Sequence, residues 1–145
     1  MSRAFPLAGL LRVRGLERDS AAAALARAQN EAREADQRAR AAREALYEHE
    51  MPATSDAQTW QAQVASRAAL LALLDQSRDI AARRQAETEE RRHAWNEARG
   101  RVRVVERLHD RHREAQTADE LRAEQNVLDE IAGRTAPGPS QRETP

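Results

Sequence analysis

A chain of 145 residues with 24 basic and 24 acidic side chains is one domain's worth of sequence, and it lacks the basic block of a nucleic-acid binder. A third of it is charged and only 3% is aromatic, which excludes a thick layered core. Having no cysteine, it has no disulfide, thiol nucleophile or Cys metal site, and no apolar run approaches the ~18 residues of a membrane span. Its Ala, Arg and Glu instead favour long helices packed along a thin seam. The expectation is an all-α fold, a two-helix antiparallel coiled-coil hairpin with a longer second helix. No direct membrane insertion is expected.

The first six residues read as a short lead without the sustained hydrophobic stretch of a signal peptide. Pro6 suits the first turn of a helix, where its missing N–H would be unpaired anyway. Helix 1 is predicted over residues 7–50. Its apolar positions Leu25, Ala28, Ala32, Ala35, Ala39, Ala42 and Leu46 alternate three and four apart, the heptad seam of a left-handed coiled coil. Because they are mostly Ala, the partner helix must approach closely, and each contact buries little area.

Pro52 ends helix 1 by disfavouring the helical region for Met51. Ser55 with Gln58 fits a capping box, and Asp56 suits the positive end of a second helix predicted over residues 56–132. So short a connection makes the two helices antiparallel neighbours. The seam of helix 2 is assigned to Trp60, Val64, Leu71, Leu74, Ala81, Trp95 and Val102. That frame also takes in Arg67, Arg78, Gln85, Thr88, Arg92 and Arg99. Gly100 is a candidate bend, and Gly133, followed by Pro137 and Pro139, a candidate helix stop. Residues 1–133 thus form one coiled-coil domain, and residues 134–145 read as a disordered tail.

Folding the hairpin at residue 53 or 54 sets residue 25 opposite roughly residue 82 and residue 7 opposite roughly residue 100. Helix 2 beyond about residue 103 is then left without a partner in the hairpin, although it carries Val104, Val105, Leu108, Leu121, Val127, Leu128 and Ile131. Two outcomes are open: these side chains pack on the segment Phe5–Leu16 or fray, or they dock into another protein.

No constellation points to catalysis. His109 and His112 share one side of a helix, but two ligands do not make a metal site, and solvated or interface histidines are expected. Glu87, Glu89 and Glu90 read as a solvated face. There is no Gly-rich phosphate loop, so neither nucleotide hydrolysis nor a cofactor is expected. Trp95 reads as a filler of the Ala seam, with a binding anchor as the alternative.

One family has this layout. An N-terminal Leu-Leu-Arg-Val-Arg leads into an Ala-rich heptad helix, a short Pro/Ser break and a long second helix. That helix contains Ala94-Trp95-Asn96-Glu97-Ala98-Arg99, Val105-Glu106-Arg107-Leu108-His109-Asp110-Arg111 and, about twenty residues on, Leu128-Asp129-Glu130-Ile131-Ala132. Over residues 5–133 the chain resembles the flagellar export protein FliJ family. It departs from enteric-type members in being richer in Ala and Arg and poorer in Tyr and Phe. The resemblance implies an export component similar to the paired helices of the F-type ATPase γ subunit, cytoplasmic and held peripherally at the inner face of the cell membrane. Its implied partners are the export ATPase FliI, the export gate protein FlhA and export chaperones. ATPase-ring contacts are then expected at Val105, Leu108, Leu121, Leu128 and Ile131, and gate contacts at Tyr47 and Leu70. Apart from the resemblance, a self-associating coiled-coil scaffold or chaperone is the alternative. Neutral charge speaks against a membrane-surface helix.

Overall fold

The computed structural model describes residues 4–53 and 56–135. They form two helices, α1 (Ala8–Glu48) and α2 (Ala57–Thr135), with no strand among the described residues. The fold is the expected all-α hairpin, with 41 residues in its first helix and 79 in its second.

The helix ends follow local chemistry. Ahead of α1, the Ala8 amide donates to the Phe5 carbonyl at 3.2 Å and the Leu11 amide to Leu7 at 2.9 Å. Ser55 of the expected capping box lies outside the described residues. The cap is supplied by Asp56, whose Oδ1 accepts the Thr59 amide at 2.9 Å and whose Oδ2 accepts the Thr59 hydroxyl at 3.0 Å. These two bonds favour the ionised carboxylate and hold it below its ordinary pKa.

At its far end α2 passes Gly133, the expected stop, and runs to Thr135. Among the described residues no glycine takes the left-handed conformation a glycine cap requires. An Arg134–Glu130 pair at 2.6 Å, four residues apart, supports the extra turn instead. Arg134 and Thr135 are therefore helical, and the remainder of the expected tail, residues 136–145, lies outside the described residues.

Contacts group the chain into two units. One is Val13–Val102; the other joins the residues up to Arg12 with those from Arg103 onward. In the first unit the expected α1 seam forms. Leu25, Ala28, Ala35 and Ala42 are buried, and Ala32, Ala39 and Leu46 are half-buried.

On α2 the seam differs from expectation at every second position. Leu74, Ser77, Thr88, Ala98 and Val102 are buried, and Leu70, Ala81 and Trp95 are half-buried. Leu70, Ser77 and Ala98 thus take the places expected of Leu71, Arg78 and Arg99. Small size and charge decide the choice at two of these places: an Ala seam admits Ser77 and Ala98 at close approach, whereas burying the guanidinium groups of Arg78 and Arg99 carries a large desolvation cost. Trp60, Val64 and Leu71, expected inside, are exposed.

The register is also later than expected. Folding at the midpoint would set residue 28 opposite roughly residue 79. Instead, the Thr88 hydroxyl donates to the Ala28 carbonyl at 3.2 Å, and Arg84 pairs with Glu31 at 2.9 Å. α1 stops at Glu48, so in this register the first turns of α2 run past its end. His49 Nε2 accordingly donates to the carbonyl of Gln63 at 3.4 Å, and the residues from Ala57 to Ala62 stand beyond the end of α1.

In the second unit the Phe5 ring packs edge-on against His109, with centroids 4.9 Å apart, and lies 5.5 Å from His112. Val105 is buried. The expectation that everything past about residue 103 lacks a partner is therefore corrected. With the later register, the N-terminal segment covers α2 as far as His112.

Candidate protein-docking surface

What the fold leaves exposed is the end of α2, residues 119–134. Within the second unit Leu121 and Leu128 are each 60% exposed, Ile131 is 57% exposed, and Val127 is exposed as well. Leu121 and Leu128 stand seven residues apart and Ile131 three further on, spacings that return to one side of a helix. Together with Val127 they span an arc of about 120° interrupted by Glu124. Ala123, Glu124, Val127 and Leu128 line a shallow apolar groove on it.

Four polar side chains of this segment are engaged with one another. Arg122 meets Asp119 at 3.2 Å, and the Gln125 amide donates to Asp129 at 3.0 Å. Such exposed pairs contribute little stability. Arg122, Asp119 and Asp129 lie toward the opposite side of the helix, while Glu120 and Glu124 project within the apolar arc itself. An isolated helix gains nothing from such an arc, so it is a surface suited to a partner.

The sequence-predicted site residues divide accordingly. Leu121, Leu128 and Ile131 lie on the arc. Leu108 is 40% exposed, at the edge of what the N-terminal segment covers. Val105 is 6% exposed and belongs to the core of its unit. In the other unit Tyr47, on the last turn of α1, is 74% exposed with the Arg43 guanidinium 5.4 Å from its ring centroid. Leu70 turns into the seam. Trp95 is half-buried with the Arg99 guanidinium 4.5 Å from its ring centroid, a seam filler more than an anchor. His109 and His112 pack on Phe5.

Sequence reasoning missed the exposed Trp60, Val64, Leu71 and Leu73. The available signal was charge. From Ala57 to Leu74 the only charged residue is Arg67, in a chain one-third charged. No helix among the described residues is long and apolar enough to cross a membrane.

No curated protein and no solved structure matches the chain. One family does: the description "Flagellar FliJ protein" fits residues 2–139, nearly the whole sequence. A two-helix hairpin whose longer helix carries an exposed apolar arc therefore has its place among the components of the flagellar protein export apparatus, and the chain belongs to the FliJ family.

Proposed function

We propose that the chain is a non-catalytic docking element of the export apparatus, binding the ring of the export ATPase FliI through the arc Leu121–Ile131 with Leu108 at its margin. The observation that carries this reading is the exposure of Leu121 and Leu128 in a member of this family. Val105 contributes by keeping α2 and the N-terminal segment together, since its side chain is buried. A second contact, with the export gate protein FlhA, is proposed at the end of α1. Tyr47 supplies the exposed ring there, and Leu70 supports it from the seam. The mechanism is steric. An asymmetric helical pair inside a symmetric ring biases the ring subunits in turn, and the gate contact links that bias to secretion. Export chaperones are proposed as further, transient partners.

The test is pull-down of purified FliI by the wild-type chain and by a Leu121→Glu/Leu128→Glu variant. The variant is expected to lose at least about 2 kcal/mol of binding, the scale of a hot-spot cluster. It should keep wild-type helicity, because both side chains are exposed. Undiminished capture would overturn the assignment. Sedimentation discriminates the alternative, a self-associating scaffold: a tight dimer that dissociates in the same variant would assign the arc to a second copy.

A further inference from the structure

The end of α2 differs in charge from the rest of the chain. The chain as a whole is neutral, yet from Glu114 to Glu130 it carries six acidic side chains and a single basic one, Arg122. Two of the acids stand among the apolar side chains. At 3.6 residues per turn, Glu124 falls on the midline of the arc between Val127 and Leu121, and Glu120 lies about 20° inside its Val127 edge. Glu124 also lines the shallow groove beside Val127 and Leu128.

Neither carboxylate is neutralised by its own helix. Elsewhere α2 pairs acids with Arg three or four residues away, as in Arg84–Glu87, Arg101–Glu97 and Arg134–Glu130. The positions three and four from Glu124 are Glu120, Leu121, Val127 and Leu128, and those from Glu120 are Gln116, Thr117, Ala123 and Glu124. No basic residue of the helix is in reach of either, and each is the other's like-charged neighbour, an arrangement that costs helix stability.

We infer that the surface receiving this arc is an apolar groove bordered by Arg or Lys side chains on a different protein, with Glu120 and Glu124 meeting those cations. The inference rests on the arc being a docking surface, as proposed above, and adds the charge of what it docks on. Covering Leu121 and Leu128 also covers Glu124 between them, and a carboxylate taken out of water without a counter-charge carries a large penalty. A groove that is apolar throughout therefore does not accept the arc. A second copy is disfavoured, because two-fold pairing through the same face would set Glu120 and Glu124 against a segment with six acids to one Arg. An anionic bilayer repels the same carboxylates.

The test is site-specific photo-crosslinking of the full chain in its own cells, with a benzophenone amino acid replacing the exposed Ala123. The expected result is an adduct with a different protein, whose crosslinked residue, located by mass spectrometry, lies in an apolar groove edged by Arg or Lys. Glu120→Gln/Glu124→Gln should reduce the adduct at least about tenfold, as truncating one side of a covered charge pair does. Helicity should hold, because the change removes a like-charged pair. Asp119→Asn/Glu130→Gln, the same change of charge on the opposite side of the helix, should reduce the adduct far less. A basic groove on a protein other than the export ATPase would keep this inference and remove the ATPase assignment. An ATPase adduct indifferent to Glu120→Gln/Glu124→Gln would do the reverse. Adducts with a second copy or lipid alone, an adduct in a groove without Arg or Lys, equal losses in the two charge variants, or no adduct would each overturn the inference.

Discussion

The hydroxyl of Thr88 on α2 lies 3.2 Å from the carbonyl oxygen of Ala28 on α1, and 3.0 Å from the carbonyl of Arg84 in its own helix. The hydroxyl has one proton, so the two carbonyls share it. Thr88 is among the most buried side chains of its unit. In a seam built mostly of alanine, apolar contacts alone discriminate weakly between neighbouring registers, because one Ala resembles the next. The bond to Ala28 adds a directional preference for this register: a slip would forfeit it and leave the hydroxyl only the Arg84 carbonyl of its own helix. The Glu31–Arg84 pair one turn away fits the same register.

Replacing Thr88 by Val keeps the shape and removes this bond. Chemical denaturation is expected to show a loss of about 0.5–1.5 kcal/mol, the net contribution of one neutral hydrogen bond. Engineered cysteines at residues 31 and 84 should then also crosslink less selectively. Unchanged stability with unchanged crosslinking would mean that the register is set elsewhere.

Asp56 provides a pH test. Its pKa is lowered on folding by the Thr59 amide and hydroxyl. A depressed carboxylate contributes stability above its unfolded pKa, near 3.8, and loses it as pH falls through the lower folded value. Asp56→Ala should therefore melt below wild type at neutral pH, and the gap should close below pH 3.8. A gap that persists at pH 2 would assign the effect to something other than the charged cap.

Gly100 sits inside α2, and a Cβ built there meets nothing within 4 Å. Gly100→Ala should stabilise the chain by about 0.5–1 kcal/mol through helix propensity. Destabilisation would show that the glycine is needed for a bend after all.

Phe5→Ala removes the ring from His109 and His112. An aromatic pair contributes about 0.5–1.5 kcal/mol beyond its buried area. Amide exchange should accelerate between residues 103 and 112 and stay unchanged around Thr88. Acceleration throughout would mean that the N-terminal segment supports both units.

The α1 seam was legible because its three-four spacing runs unbroken from Leu25 to Leu46, and every one of those positions is at least half-buried. The α2 seam was half legible. Leu74, Ala81, Trp95 and Val102 fall in both frames, whereas strict three-four spacing put the alternate positions at Leu71, Arg78 and Arg99, where the structure takes in Leu70, Ser77 and Ala98. The register was not legible from the helix ends, because an alanine seam offers many similar alignments. That error hid two features together: the burial of Val105 and the exposure of Trp60. Of the docking surface, Leu121, Leu128 and Ile131 were readable as apolar residues beyond the paired length.

The proposed docking of the apolar arc of α2 on the export ATPase has a direct test. Hydrogen exchange of the full chain with and without the FliI ring measures it most directly. Strong new protection from residue 117 to 131 is predicted, with little change from residue 25 to 46. Protection confined to the α1 seam, with the arc exchanging as in the free chain, would contradict the account.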